Sequence, residues 1–316
     1  MRIAPFIAAL FVLLMPLAVA GAEETQVSAN GFPATLSWPD GVRTAPVMLF
    51  IAGSGPTDRD GNSPLGVKAA YLAKLAYALS LQGVASLRFD KRGVPGSLPV
   101  LCEEDVTLDI YVDDAGTVLD WLSAQPGVGA VLLLGHSEGG LIALDLAKRW
   151  QGLAGLVLVA TPGLPPAETL RAQMQALPEP MRSRALEILA EIDAGSSVED
   201  VPENLAGLFR PSVQPFLRSL LSRRPAQTLA DLRQPVLIIG GGTDLQVGRA
   251  DFDALHTARG DAETLWLDRM NHVLTDAPSD RASNLATYSD RAAVLSNGLA
   301  PAIAGFVEQV QQKSAP

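Results

Sequence analysis

Short apolar, β-rich runs recur along this chain, separated by longer stretches of helical periodicity. The runs are "PVMLFIAG" (46–53), "VASLRFD" (84–90), "AVLLLGH" (130–136), "LAGLVLVAT" (153–161), "PVLIIGG" (235–241) and "AETLWL" (262–267). Helical patterns fill 67–82, 107–125, 138–150, 250–258 and 300–311. Continuous apolar strands alternating with helices predict βαβ units, and so an α/β fold whose mostly parallel central sheet is covered by helices on both faces. The alternation breaks between residues 163 and 230, where strands vanish and Ala-, Leu-, Glu- and Arg-rich segments such as "MRSRALEILAEID" take over. Their apolar periodicity is too regular for a solvated linker and predicts an inserted helical cap, leaving 23–162 and 231–316 as the core.

The 316 residues, 48% hydrophobic, suffice for a large core, and the net charge of −10 without a Lys/Arg block argues against nucleic acid as a partner. The leader "MRIAPFIAALFVLLMPLAVAGAEE" places Arg2 before an apolar run, then Pro16 and small residues at Ala18, Ala20 and Ala22. That layout is expected of a secretory signal peptide spanning 1–22, with a periplasmic or secreted mature chain and no stable membrane insertion after cleavage. An uncleaved anchor is the competing reading, since the apolar run is just long enough to span a bilayer. The single Cys102 excludes an intrachain disulfide and is expected to be a packed or partly buried thiol.

The sharpest motif is "LLLGHSEGGLIAL" (132–144), in which Gly135, His136, Ser137, Glu138 and Gly139 form G-x-S-x-G between a strand and a helix. The bare pattern is weak, but its setting is specific. A strand ending at Gly135 and a helix beginning just after Ser137 force a strained turn that lifts the hydroxyl from the sheet's carboxyl edge, at a helix N-terminus.

These residues resemble the α/β-hydrolase superfamily. The resemblance implies the order nucleophile, acid, histidine, and Ser137 as nucleophile. It places the base in the loop after the last strand, where His272 stands in "LDRMNHVLTD"; His136 lies within the elbow, directed away from the serine's exposed side, and His256 lies mid-helix. The orienting acid is implied in the loop after the penultimate strand, at Asp244 of "GGGTDLQV". Asp251 and Asp253 are rivals that look like first-turn helix acids, and Asp268 and Asp276 flank the histidine closely.

The loop "IAGSGPTDRDGN" (51–62) has neither the glycine and glutamate positions of a calcium loop nor the lysine of a P-loop. "AGSG" sits where relatives carry their oxyanion loop, so the N–H groups of Ser54 and Glu138 are the implied oxyanion pair. "FDKRGVPGS" (89–97) resembles the family's D-x-R-G-x-G-x-S loop, with Asp90 and Arg92 expected to pair. With "DRDGN", "LFRPSVQPF" and "NHVL", the resemblance narrows to bacterial serine carboxylesterases with a helical cap, close to the serine-aminopeptidase-like branch. It implies cleavage of a small-molecule ester, of short to medium acyl chain, through an acyl-enzyme, with no cofactor or metal. A peptidase or amidase and an acyltransferase use the same triad, and a non-catalytic binding protein is the remote alternative.

Overall fold

The computed structural model describes residues 22–99, 101–175 and 177–314. Of the leader read over 1–22, only Ala22 lies within them, and it opens the first strand. The chain order is β1 (Ala22–Ala29), β2 (Phe32–Pro39), β3 (Ala45–Ile51), α1 (Tyr71–Ser80), β4 (Ala85–Phe89), α2 (Leu108–Ser123), β5 (Val128–His136), α3 (Glu138–Arg149) and β6 (Gly155–Val159). Five helices follow: α4 (Pro166–Met174), α5 (Met181–Asp193), α6 (Ala206–Phe209), α7 (Gln214–Leu221) and α8 (Pro225–Ala230). The chain then completes the sheet and its cover with β7 (Val236–Gly241), α9 (Arg249–Ala258), β8 (Glu263–Leu267), α10 (Arg281–Ala286) and α11 (Leu299–Ser314).

The strands form one sheet in the order β1-β2-β4-β3-β5-β6-β7-β8, antiparallel from β1 through β4 and parallel from there on. Its middle strands read as unbroken apolar runs because both faces are covered. On β3, Val47, Leu49 and Ile51 join the core beneath α2 and α3, while Met48 and Phe50 join the opposite core beneath α1 and α11. β5 divides likewise, with Leu133 on one face and Leu132 and Leu134 on the other. Helix α1 buries Leu72, Leu75, Ala76 and Leu79, the spacing of one helical stripe. It starts four residues later than its periodicity predicts. Ala70 turns left-handed at φ 51°, and the Lys68 and Ala70 amides bond instead to Tyr288 O and Asn62 Oδ1.

Helices α4 to α8 lie between β6 and β7; α4 to α7 enclose a small core of their own, centred on Ile188, Leu189, Phe209 and Leu221, while α8 packs on α3 and α9 and puts Leu229 into the main core. This insertion is tied to helices α2 and α3, which cover one face of the sheet. Ser219 Oγ accepts from the Leu108 amide at 2.8 Å, and Arg223 reaches Asp109 at 2.8 Å and Asp145 at 3.2 Å. Arg210 and Ser212 meet Glu103. Among the described residues, no helix is long and apolar enough to cross a membrane.

Two expectations are corrected here. Cys102 is exposed rather than packed, because it precedes a short 3-10 turn on an exposed connection. Asp90 and Arg92 do not pair with each other. Asp90 holds Arg59 at 2.6 Å and Arg92 holds Asp114 at 2.6 Å, so each stabilises a different neighbouring segment.

Candidate active site

β5 runs straight into α3 with a single residue, Ser137, between them, at φ 55° and ψ −126°. A side chain is disfavoured there, and the turn survives because its neighbours over-determine it. The Ser137 amide donates to Val159 O at 3.0 Å, and its carbonyl accepts from the Gly140 amide at 2.8 Å. A Cβ on Gly139 would collide with Ile51 O, and one on Gly140 with Thr161. Only glycine lets helix, strand and serine meet so closely.

β7 delivers Asp244 and the turn after β8 delivers His272. The two loops are stitched together by backbone, Gly242 N to Leu267 O at 2.9 Å and Thr243 N to Met270 O at 3.1 Å. A Cβ on Gly241 or Gly242 would strike Met270 O or Asp268 O, which explains the run of glycines before the acid. A buried amide completes the tie. Asn284 Nδ2 donates to Thr243 O at 2.8 Å and Pro278 O at 3.1 Å, while its Oδ1 accepts from Asn271 Nδ2 at 3.1 Å.

His272 Nδ1 donates to Asp244 Oδ2 at 2.8 Å, and Asp244 Oδ1 accepts from the Gln246 and Val247 amides at 2.7 and 3.0 Å. Burial alone would raise the Asp244 carboxyl, but the His272 charge and hydrogen bond, with those two amides, hold it below the usual carboxylate range. With Nδ1 committed to the carboxylate, Nε2 is the ring nitrogen left without a protein partner among the described residues. Three of the four rival acids are engaged elsewhere. Asp251 caps α9 and accepts from the Gly163 and Leu164 amides, Asp253 pairs with Arg249, and Asp276 accepts from Ser296 Oγ.

His136 is not turned away from the site, as its place in the elbow suggested. Its ring packs against His272, centroids 4.8 Å apart, and lines the same cavity as Ser137. Nε2 faces His272 O at 2.8 Å, and a carbonyl only accepts, so Nε2 carries the hydrogen and Nδ1 accepts from Tyr71 Oη at 3.2 Å. Burial, reinforced by His272, pushes the His136 pKa down to about 3, so the ring beneath His272 stays neutral. His256 is exposed on α9.

The amides of Ser54 and Glu138 donate to no protein acceptor among the described residues, and Glu138 opens α3. Behind them lies a buried cluster that sequence reasoning missed. Lys91 Nζ donates to Gly53 O and stands 3.8 Å from Glu138 Oε1, while Ser54 Oγ donates to Glu138 Oε2 at 3.0 Å. Burial lowers the Lys91 pKa and the Glu138 carboxylate opposes that. Farther along the loop, Asp58 Oδ1 accepts from the Asp60 and Asn62 amides, and Asp60 pairs with the fully buried Arg88. These carboxylates are spent on holding the loop, and no group of three or more His, Cys, Asp or Glu that could hold a metal ion occurs among the described residues.

A family model described as "Serine aminopeptidase, S33" matches residues 65–277, a span that contains Ser137, Asp244 and His272. The chain is an α/β-hydrolase of this family. Esterase EstD of Thermotoga maritima is 28% identical over 270 residues, covering 80% of this chain. The chain spans about 60% of the length of that relative. Among solved structures, Est1E from Butyrivibrio proteoclasticus with ferulic acid bound superposes with a TM-score of 0.58 at 16% identity, covering 92% of this chain and 98% of that one. An esterase domain from Rhodothermus marinus gives 0.55 at 20% identity (91% and 98% covered), and a proline iminopeptidase from Mycobacterium smegmatis gives 0.54 at 17% (93% and 100%). At these identities the likeness is one of fold.

In this α/β-hydrolase, Ser137 lies between two recesses. One, of about 210 Å³, is shared by Ser137, His272, His136, Ser54 and two tyrosines, Tyr71 and Tyr288. The other, of about 140 Å³, lies under α4 and α7 and is walled by Leu141, Leu170, Leu220, Pro162 and Pro166. Glu138 is the only charged side chain in the second, and it faces Lys91 and Ser54 Oγ; no Asp, Glu, Lys or Arg lines the first.

Proposed function

We propose that the chain is a serine carboxylesterase working through a Ser137–His272–Asp244 triad. The observation that carries this is the 2.8 Å His272–Asp244 bond at a cavity whose wall also holds Ser137 on its strained turn. Ser137 Oγ attacks the ester carbonyl as its proton passes to His272 Nε2, and Asp244 steadies the imidazolium. The Ser54 and Glu138 amides take the developing oxyanion. As the C–O bond to the alcohol breaks, His272 returns the proton to the leaving oxygen. Water, deprotonated by the same imidazole, then attacks the acyl-enzyme and releases the acid and Ser137.

Neither recess offers an uncommitted carboxylate, Glu138 being engaged by Lys91 and Ser54, and this supports an ester over an aminopeptidase substrate, whose free N-terminal ammonium requires one. The small apolar recess supports acyl chains of short to medium length. The leader read over 1–22 supports action outside the cytoplasm, which fractionation of the producing cell tests.

The decisive assay compares p-nitrophenyl butyrate with an aminoacyl p-nitroanilide, in the wild type and Ser137→Ala. Ester turnover in the wild type, lost in the variant by about 10⁵-fold or more, is the expected result. Equal rates in the two proteins, or faster cleavage of the anilide, would overturn the reading.

A further inference from the structure

The two recesses on either side of Ser137 differ in chemistry, and only one of them contains His272. That difference assigns the halves of the substrate. In ester cleavage the group that leaves must lie where the imidazolium can return its proton, within hydrogen-bond reach of His272. The recess under α4 and α7 has no contact with His272, so the alcohol belongs in the larger one and the acyl group under the insertion.

The walls of the larger recess specify the alcohol further. Ser63 Oγ accepts from the Leu65 amide at 3.3 Å, which leaves its own hydrogen free. Tyr288 Oη accepts from Gln246 Nε2 at 3.5 Å, so the phenolic hydrogen is also free, and Gln246 Oε1 accepts nothing among the described residues. Thr57 donates its hydrogen to Ser54 O at 2.8 Å and keeps a lone pair. Ser63 and Thr57 are buried, so a group entering the recess leaves water and must replace its hydrogen bonds. With no formal charge from Asp, Glu, Lys or Arg on this wall, an ionic alcohol finds no counter-charge.

From this distribution we infer that the natural substrate is the ester of a short aliphatic acid with a neutral alcohol that carries additional hydroxyl groups. The acyl chain lies against Leu141, Leu170 and Leu220, and the hydroxyls of the alcohol meet Ser63, Gln246 and Tyr288. The inference rests on the esterase reading above and names the substrate class of that same site.

The test measures kcat and KM for ethyl butyrate, glycerol monobutyrate, a monobutyrylated hexose and butyrylcholine. A kcat/KM for glycerol monobutyrate or the hexose ester about tenfold or more above that for ethyl butyrate is expected, the gain lying in KM. Whichever of the two leads distinguishes a polyol from a sugar source. Gln246→Leu and Tyr288→Phe, two independent variants in case one fails to fold, should each cut that preference about tenfold. Leu170→Trp should instead shorten the longest acyl chain accepted and leave the alcohol preference in place. Hydrolysis of ethyl butyrate with no preference for hydroxylated alcohols, or with butyrylcholine preferred, overturns the inference while leaving the esterase reading intact. Absence of all ester turnover, together with no labelling of Ser137 by a fluorophosphonate, defeats the esterase reading itself.

Discussion

Lys91 is the residue whose surroundings are hardest to reconcile with a passive role. Its ammonium is buried, bonded to Gly53 O and placed 3.8 Å from Glu138 Oε1. Glu138 poses an electrostatic problem, because its amide is assigned to the oxyanion while its carboxylate is buried nearby and negative. Lys91 faces that carboxylate and bonds the carbonyl just before Ser54, so under the proposed mechanism it is a positioning residue for both amides. Lys91→Met should lower kcat about 10²-fold with little change in KM, comparable to losing an oxyanion donor. It should also destabilise the fold by ~3–5 kcal/mol, since Glu138 is left uncompensated. The double variant with Glu138→Gln should recover most of that stability and little of the rate. Denaturant titration of the four proteins, with kcat for each, checks both halves. Independent, additive losses of stability would refute the pairing.

The strand–serine–helix elbow was legible at the level of elements because its demands are local: an apolar run, small residues, then a helix start within a few positions. The acid loop was legible for a similar reason, since Gly241 and Gly242 record in sequence the close passage of the 268–270 backbone. Strands β1 and β2 were not. β1 is an exposed edge strand with only Ala29 fully buried, so it has no apolar run to read, and β2, paired between β1 and β4, mixes buried and half-buried positions without an apolar run. Lys91, His136 and Asn284 escaped because their roles depend on partners 38 to 136 residues away in sequence. The elbow itself makes a separable prediction. Ser137→Gly should abolish turnover as Ser137→Ala does, yet raise stability by about 1 kcal/mol, because only glycine relaxes at positive φ. Thermal unfolding of the two variants distinguishes them, and a glycine variant no more stable than the alanine one would show that the turn stores no strain.

On the scale of the whole molecule, the buried imidazole of His136 couples the site to acid stability. Its pKa falls to about 3 in the fold from the ordinary 6.5, through burial first and the neighbouring His272 second. Between those values the unfolded chain binds a proton that the folded chain refuses. The unfolded state therefore holds more protons, and stability rises with pH across that window. On acidification below about 6.5, this single group removes about 1.4 kcal/mol per pH unit, until the folded ring titrates as well. Asp244 works in the same direction at lower pH, since its depressed carboxyl stabilises the fold above the ordinary carboxylate range and that contribution fades as the acid protonates. Tyr71, raised by burial, stays neutral throughout and keeps donating to His136 Nδ1. His136→Gln can keep the hydrogen bond to His272 O through its amide while removing the titration. Its unfolding free energy, measured at intervals from pH 7 to pH 4, should fall less steeply than the wild type's by close to one proton. Parallel slopes in the two proteins would mean that His136 is protonated in the fold, and the neutral ring beneath His272 would have to be abandoned.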